Sequence, residues 1–124
     1  MSVQILLIDD EPDLPFIITA YLEDETDFRV ETAPTGEEAL TVCDTLHPDI
    51  CIVDMRLPGM TGNEFIQAAH QKIPQCRYII HTGSLDYQIP SELRAIGIDE
   101  SAILFKPVVG MVKYIEKIKE LLEL

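Results

Sequence analysis

Four short apolar runs punctuate the chain: Ile5-Leu6-Leu7-Ile8, Ile50-Cys51-Ile52-Val53, Tyr78-Ile79-Ile80 and Ile103-Leu104-Phe105. A strand with one wet face alternates polar and apolar residues, so an unbroken run marks a strand covered on both faces. A fifth segment, Phe28-Arg29-Val30-Glu31-Thr32, alternates as a half-exposed outer strand would. Between these segments apolar residues recur at helical spacing. Thr35 to Leu46 carries Ala39, Leu40, Cys43 and Leu46 on one stripe, and Thr35 with Glu38 matches a capping box. Thr61 with Glu64 repeats that box ahead of Phe65, Ala68 and Ala69. Leu14 to Leu22 predicts a first helix, with Pro12 and Pro15 near its first turn, where a missing N–H costs little. A fourth helix is predicted from about Pro90 to Ile96, stopped by Gly97. The last, Val109 to Leu124, has Met111, Ile115, Ile118 and Leu122 on its inner stripe. Five strands, each followed by a helix, specify an α/β fold with a doubly wound parallel sheet.

The 124 residues fit one domain spanning 1–124, large enough for a core without disulfides or a structural metal. The apolar runs stop at four or five residues, so no segment spans a membrane, and no secretory leader opens the chain. Cys43, Cys51 and Cys76 form no CxxC pair and fit reduced thiols in a cytoplasm. Charge excludes a further class. Nine Lys and Arg oppose 22 Asp and Glu, a net charge of −13 that repels phosphate backbones and argues against nucleic acid as a partner. The charge is uneven, with 14 acids and 2 bases in residues 1–62 but 8 and 7 in residues 63–124.

Ligands of an open parallel sheet bind beyond the carboxyl ends of its strands. Those ends carry Asp9-Asp10-Glu11, Asp54, His81-Thr82-Gly83 and Lys106-Pro107. Two carboxylates about 4 Å apart repel by roughly 4 kcal/mol at an effective dielectric near 20. Asp9, Asp10 and Asp54 together therefore call for positive charge, from Lys106 and from a divalent cation. Oxygen ligands without neighbouring His or Cys favour Mg²⁺. A carboxylate beside such an ion can attack a phosphoryl group, with Lys106 and Thr82 holding its oxygens. Each residue also has a plainer reading. Asp9-Asp10-Glu11 suit a helix N-terminus, Asp54 could start the Pro58-Gly59 turn, Thr82 could merely end a strand, and Lys106 could be solvated. Their convergence on one sheet edge favours the joint reading.

Along essentially its whole length the chain resembles the receiver domain of two-component response regulators. Asp9-Asp10-Glu11-Pro12, the string Asp54-Met55-Arg56-Leu57-Pro58-Gly59-Met60-Thr61-Gly62, Thr82-Gly83 and Lys106-Pro107 match its motifs in order. The resemblance implies a flavodoxin-like strand order 2-1-3-4-5 with helices on both faces. It implies that Asp54 accepts a phosphoryl group from a histidine kinase or phosphotransfer protein. Asp10, Asp54 and the backbone carbonyl of Arg56 would bind Mg²⁺, Asp9 would act through water, and Thr82 and Lys106 would contact the phosphoryl oxygens. The Lys106-Pro107 bond is usually cis in the family. Such a domain is a signalling module that catalyses only its own phosphorylation and slow dephosphorylation. It passes the signal to an effector domain or partner protein, and a homodimer is compatible with it. Three features depart from the pattern. Ile103 stands where members commonly carry Tyr or Phe, Gly97 to Lys106 is longer than usual, and His81 replaces an apolar residue. They bear on output and leave the phosphorylation set intact.

Two other functions compete. A pseudo-receiver that binds partners without phosphorylation would suit Ile103, yet it gives no reason to keep four crowded carboxylates. A Mg²⁺-dependent aspartyl phosphohydrolase needs a second carboxylate two residues after its nucleophile, where this chain has Arg56. His47, His70 and His81 lack metal-ligand spacing, and His81 reads as a structural strand-end residue. Glu23-Asp24-Glu25-Thr26-Asp27 reads as a solvated loop after the first helix.

Overall fold

A computed structural model describes residues 2–124. Its strands are β1 (Gln4–Ile8), β2 (Arg29–Ala33), β3 (Ile50–Asp54), β4 (Arg77–Thr82) and β5 (Ile103–Phe105). They pair in parallel in the order β2-β1-β3-β4-β5. Helices α1 (Leu14–Glu25), α2 (Gly36–Leu46), α3 (Gly62–Lys72), α4 (Ser91–Arg94) and α5 (Val112–Leu122) alternate with them. The sequence expectation of a doubly wound five-stranded sheet in flavodoxin-like order is met.

The period of two along each strand sorts side chains onto two cores. Leu6, Ile8, Cys51, Val53, Tyr78 and Ile80 pack with Ala39 and Cys43 of α2, Phe65 and Ala69 of α3, and Leu93 of α4. Ile5, Leu7, Ile50, Ile52 and Ile79 pack on the other face with Ile18 and Leu22 of α1 and Tyr114 and Ile118 of α5. Both faces are covered, which is why the central runs carry no polar alternation. Among the described residues no helix is long and apolar enough to cross a membrane.

Several element ends differ from the sequence expectations. α1 runs on to Glu25, because the Thr26 amide and hydroxyl both donate to the Leu22 carbonyl at 3.0 and 2.5 Å. The acidic stretch thus begins inside the helix, and Glu23 there accepts the Val30 amide at 3.1 Å. α4 keeps only four residues. The Gly97 amide bonds to Arg94 O and the Ile98 amide to Leu93 O, a Schellman closure with Gly97 in the left-handed region at φ +96. α5 starts at Val112, after a turn at Gly110. Its buried positions are Tyr114 and Ile118, while Met111, Ile115 and Leu122 flank them half-buried. The Thr61–Glu64 capping box is complete, with both reciprocal bonds. At Thr35 only half the box forms, the hydroxyl accepting the Glu38 amide at 3.1 Å. The neighbouring Glu37 carboxylate accepts the Met60 amide of the β3–α3 loop at 3.1 Å.

That loop is held tightly where α3 begins. A Cβ on Gly62 would lie 2.6 Å from the Asp54 carbonyl oxygen and 2.9 Å from Met55 Cα, both backbone atoms. Gly62→Ala must therefore displace the end of β3 and should cost about 1–3 kcal/mol, read as a fall in urea midpoint. An unchanged midpoint would show that the loop yields freely.

Candidate phosphoryl site at the carboxyl edge of the sheet

Strand register sets the site. Ile8 pairs with Val53, Asp54 with His81, and Thr82 with Phe105. Asp9 and Asp54 thus leave neighbouring central strands at the same level, with Thr82 one residue beyond and Lys106 two. The Asp9 amide donates to Ala33 O at 3.1 Å and the Lys106 amide to Thr82 O at 2.8 Å, which extends the ladder to both residues. β1 has neighbours reached by crossovers on opposite sides, so the edge beside it is the switch point where α/β folds bind ligands.

The Lys106 ammonium sits between two buried carboxylates, 2.9 Å from Asp9 Oδ2 and 3.4 Å from Asp54 Oδ2. Asp9 Oδ1 accepts the Glu11 amide at 2.9 Å, and Asp54 Oδ1 accepts the Arg56 amide at 3.1 Å. Carboxylate oxygens of Asp9, exposed Asp10 and buried Asp54 lie within 4.8 Å of one another. A cavity of about 200 Å³ opens onto Asp54, Arg56, Thr82, Gly83 and Ser84. Thr82 is buried, and its hydroxyl accepts the Ser84 amide at 3.1 Å. The Lys106-Pro107 bond is cis.

The electrostatics are those of crowded acids around one cation. Burial pushes the Asp54 pKa up, and the negative charge of Asp9 adds to it. The Arg56 amide and Lys106 oppose both without fully compensating. Burial alone would lower Lys106, but the hydrogen bond to Asp9 and the charges of Asp54 and Asp9 hold it above the usual lysine value. A cation is thus fixed beside a carboxylate that remains short of positive charge. Three hard oxygen ligands with that deficit fit a small divalent cation.

Asp9, Asp10, Asp54, Arg56, Thr82 and Lys106, all selected from the sequence, converge at this edge. The plainer helix-cap reading is set aside for Asp9-Asp10-Glu11, because α1 starts at Leu14 with Asp13 at its N-cap position. Asp54 does serve its turn through the Arg56 amide, in addition to facing Lys106. Gly97 to Lys106 absorbs its extra length in a 3-10 turn, Glu100–Ala102, capped by Asp99 and tied to α4 by an Arg94–Glu100 ion pair.

Tyr114 is the residue the sequence reading missed. His81, fully buried, lies on the α5 face of β4, and its Nε2 is 2.8 Å from the Tyr114 hydroxyl. The rings meet edge to face with centroids 5.4 Å apart. His81 Nδ1 has no partner among the described residues. Burial chiefly, and Lys106 secondarily, lower the His81 pKa to about 4, so the ring is neutral at pH 7. Burial pushes the Tyr114 hydroxyl up to about 12. A structural strand-end role fits His81, with the addition that it joins the site's edge to α5.

Comparison with known proteins agrees with this architecture. Residues 5–119 match the family model described as the response regulator receiver domain. The chain belongs to that family, a family of signalling modules. It is 26% identical over 121 residues to a protein-glutamate methylesterase/protein-glutamine glutaminase of Syntrophus aciditrophicus, covering 97% of this chain and 35% of that protein. The chain thus spans about a third of that relative's length. Among solved structures, a CheY-like receiver domain protein of Methanospirillum hungatei superposes with a TM-score of 0.84 at 30% identity. That match covers 99% of this chain and 95% of the other. Chemotaxis protein CheY4 of Vibrio cholerae shares the fold, with a TM-score of 0.85 at 24% identity, covering 98% and 99% of the two chains.

Proposed function

We propose that this chain is a phosphoaccepting signalling module in which Asp54 takes a phosphoryl group from a phosphohistidine on a histidine kinase or phosphotransfer protein. The observation that carries the reading is the Lys106 ammonium held between Asp9 and Asp54, beside a cavity lined by Asp54 and Thr82. An Asp54 carboxylate oxygen attacks phosphorus as the donor's P–N bond breaks, and the departing imidazole nitrogen takes up a proton. Lys106 and the Thr82 hydroxyl contact the equatorial oxygens on which negative charge gathers. Asp10, Asp54 and the Arg56 carbonyl would hold Mg²⁺. Both Asp9 oxygens already accept hydrogen bonds, which favours contact through water for that residue. Bound there, Mg²⁺ supplies charge neutralisation to the three carboxylates and the incoming phosphoryl oxygens. The phosphorylated state then alters contacts with an effector or partner protein through the Thr82 and Lys106 side.

Acetyl phosphate tests this directly. With Mg²⁺ the intact mass should rise by one phosphoryl group, the gain should vanish with EDTA, and Asp54→Asn should take up none. A wild-type chain left unmodified where another receiver is labelled would sink the reading in favour of a non-phosphorylated interaction module. Rapid multiple-turnover release of phosphate would point to a hydrolase instead.

A further inference from the structure

The opposite edge of the sheet holds a second chemical group, independent of the phosphoryl site. Cys51 on β3 and Cys76, just before β4, face the α2–α3 side together with Cys43 of α2. Cys51 pairs in register with Tyr78, so Cys76 sits diagonally across the ladder from it. Their sulfurs are 3.6 Å apart, in van der Waals contact. The two thiols differ in access. Cys51 is completely buried, whereas Cys76 keeps 6% of its surface and lines a cavity of about 590 Å³ with His70, Tyr78, Ile98 and Leu121. The buried Tyr78 hydroxyl stands beside Cys76 without a hydrogen-bond partner among the described residues. The three thiols do not form a metal cage: Asp9, Asp10 and Asp54 are the group of potential ligands that converges among the described residues.

We propose that Cys51 and Cys76 form a redox-responsive dithiol, oxidised by a peroxide entering through this cavity to an intramolecular disulfide. Cys76 gives its proton to water in the cavity, and its sulfur attacks one peroxide oxygen. The O–O bond breaks, leaving a sulfenic acid on Cys76, and the other oxygen departs as water or an alcohol after protonation. The Cys51 sulfur then attacks the Cys76 sulfur. The S–S bond forms, the S–O bond breaks, and the hydroxide released takes the Cys51 proton to leave as water. Two thiols lose two electrons and the peroxide gains them. Burial holds the Cys51 thiol above its usual pKa, which makes it a poor first target but a resolving partner already in contact. Cys43 also lies beside the Cys51 thiol, but it is buried and does not line the cavity, so the thiol that meets the peroxide is Cys76.

The test is hydrogen peroxide on the reduced full chain, followed by denaturation, maleimide alkylation and intact mass. Of the three cysteines, the oxidised wild type should leave one to react, two hydrogens lighter, and dithiothreitol should restore all three. Cys43→Ala should still close the bond and leave no thiol to react. Cys51→Ala should stop at oxygen adducts on Cys76, and Cys76→Ala should remain reduced. A tryptic map of wild type needs no variant. Cleavage after Arg29, Arg56, Lys72 and Arg77 places Cys51 and Cys76 on separate peptides, so fragments 30–56 and 73–77 should run linked, with fragmentation assigning the bond to Cys51. Three reactive thiols after peroxide, a bond confined to fragment 30–56, a bond to Cys43, or a linkage between two chains would each overturn the proposal.

Discussion

Lys106→Met should lower the rate of Asp54 phosphorylation by about 100-fold, the effect of removing one preorganised donor from a developing anion. The same change should destabilise the chain by about 3 kcal/mol without Mg²⁺. Breaking a buried ion pair leaves uncompensated charge behind, and here two carboxylates lose the cation that lies 2.9 and 3.4 Å away. The low end of the usual range applies because the Lys106 side chain keeps 15% exposure. Urea midpoints with and without excess Mg²⁺ check this. The variant should gain more from the ion than wild type does, because the ion replaces a missing charge rather than adding to one already present. Its stability should also recover as pH falls towards the carboxylate range, since protonating Asp9 or Asp54 removes the repulsion. Equal Mg²⁺ gains in both proteins would show that Lys106 does not neutralise this pair.

Acid should expose His81. Its imidazole titrates near 6.5 when unfolded but only near 4 in the fold, where burial chiefly and Lys106 secondarily disfavour the cation. A depressed folded pKa means the contribution is intact above pH 6.5 and is lost as pH falls towards 4, to a total of about 3 kcal/mol. Asp54 works in the opposite sense. Burial raises its pKa, so its protonation favours the fold as pH falls and partly masks the histidine. His81→Leu should therefore flatten the loss of stability between pH 6.5 and 4, measured as urea midpoints across that range. A variant that loses as much as wild type would remove His81 as the cause. At pH 7, Tyr114→Phe should cost about 1–3 kcal/mol, because it strips a buried nitrogen of its hydrogen bond.

The two halves of that picture differ in how visible they are before folding. Ile5 to Ile8, Ile50 to Val53 and Tyr78 to Ile80 announce buried parallel strands because burial on both faces leaves a local signature. The acids at their ends then fall into place, since register carries Asp9, Asp54 and Thr82 to one edge whatever the loops do. Pairings made by distant segments leave no such trace. His81 and Tyr114 are 33 positions apart, and Cys51 and Cys76 are 25 apart. Nothing near either cysteine marks the other as a neighbour. Tyr114 was hidden for a further reason. The stripe from Met111 to Leu122 looks complete without it, although Tyr114 and Ile118 face the sheet most directly. Helix lengths depart from side-chain periodicity where backbone closure overrides it, at Thr26 for α1 and at the Leu93–Ile98 closure for α4.

His81 and Thr82 are consecutive residues of one strand, and consecutive residues of a strand point to opposite sides. One reaches Tyr114 on the α5 side while the other faces the cavity at Asp54. The last dipeptide of β4 therefore behaves as a short seesaw through the plane of the sheet. A tilt of that shared peptide which carries the Thr82 side chain towards Asp54 would move the His81 ring the other way, against the helix on the far face. The two sides of the molecule are joined there by a single peptide bond rather than by a relay of packed side chains.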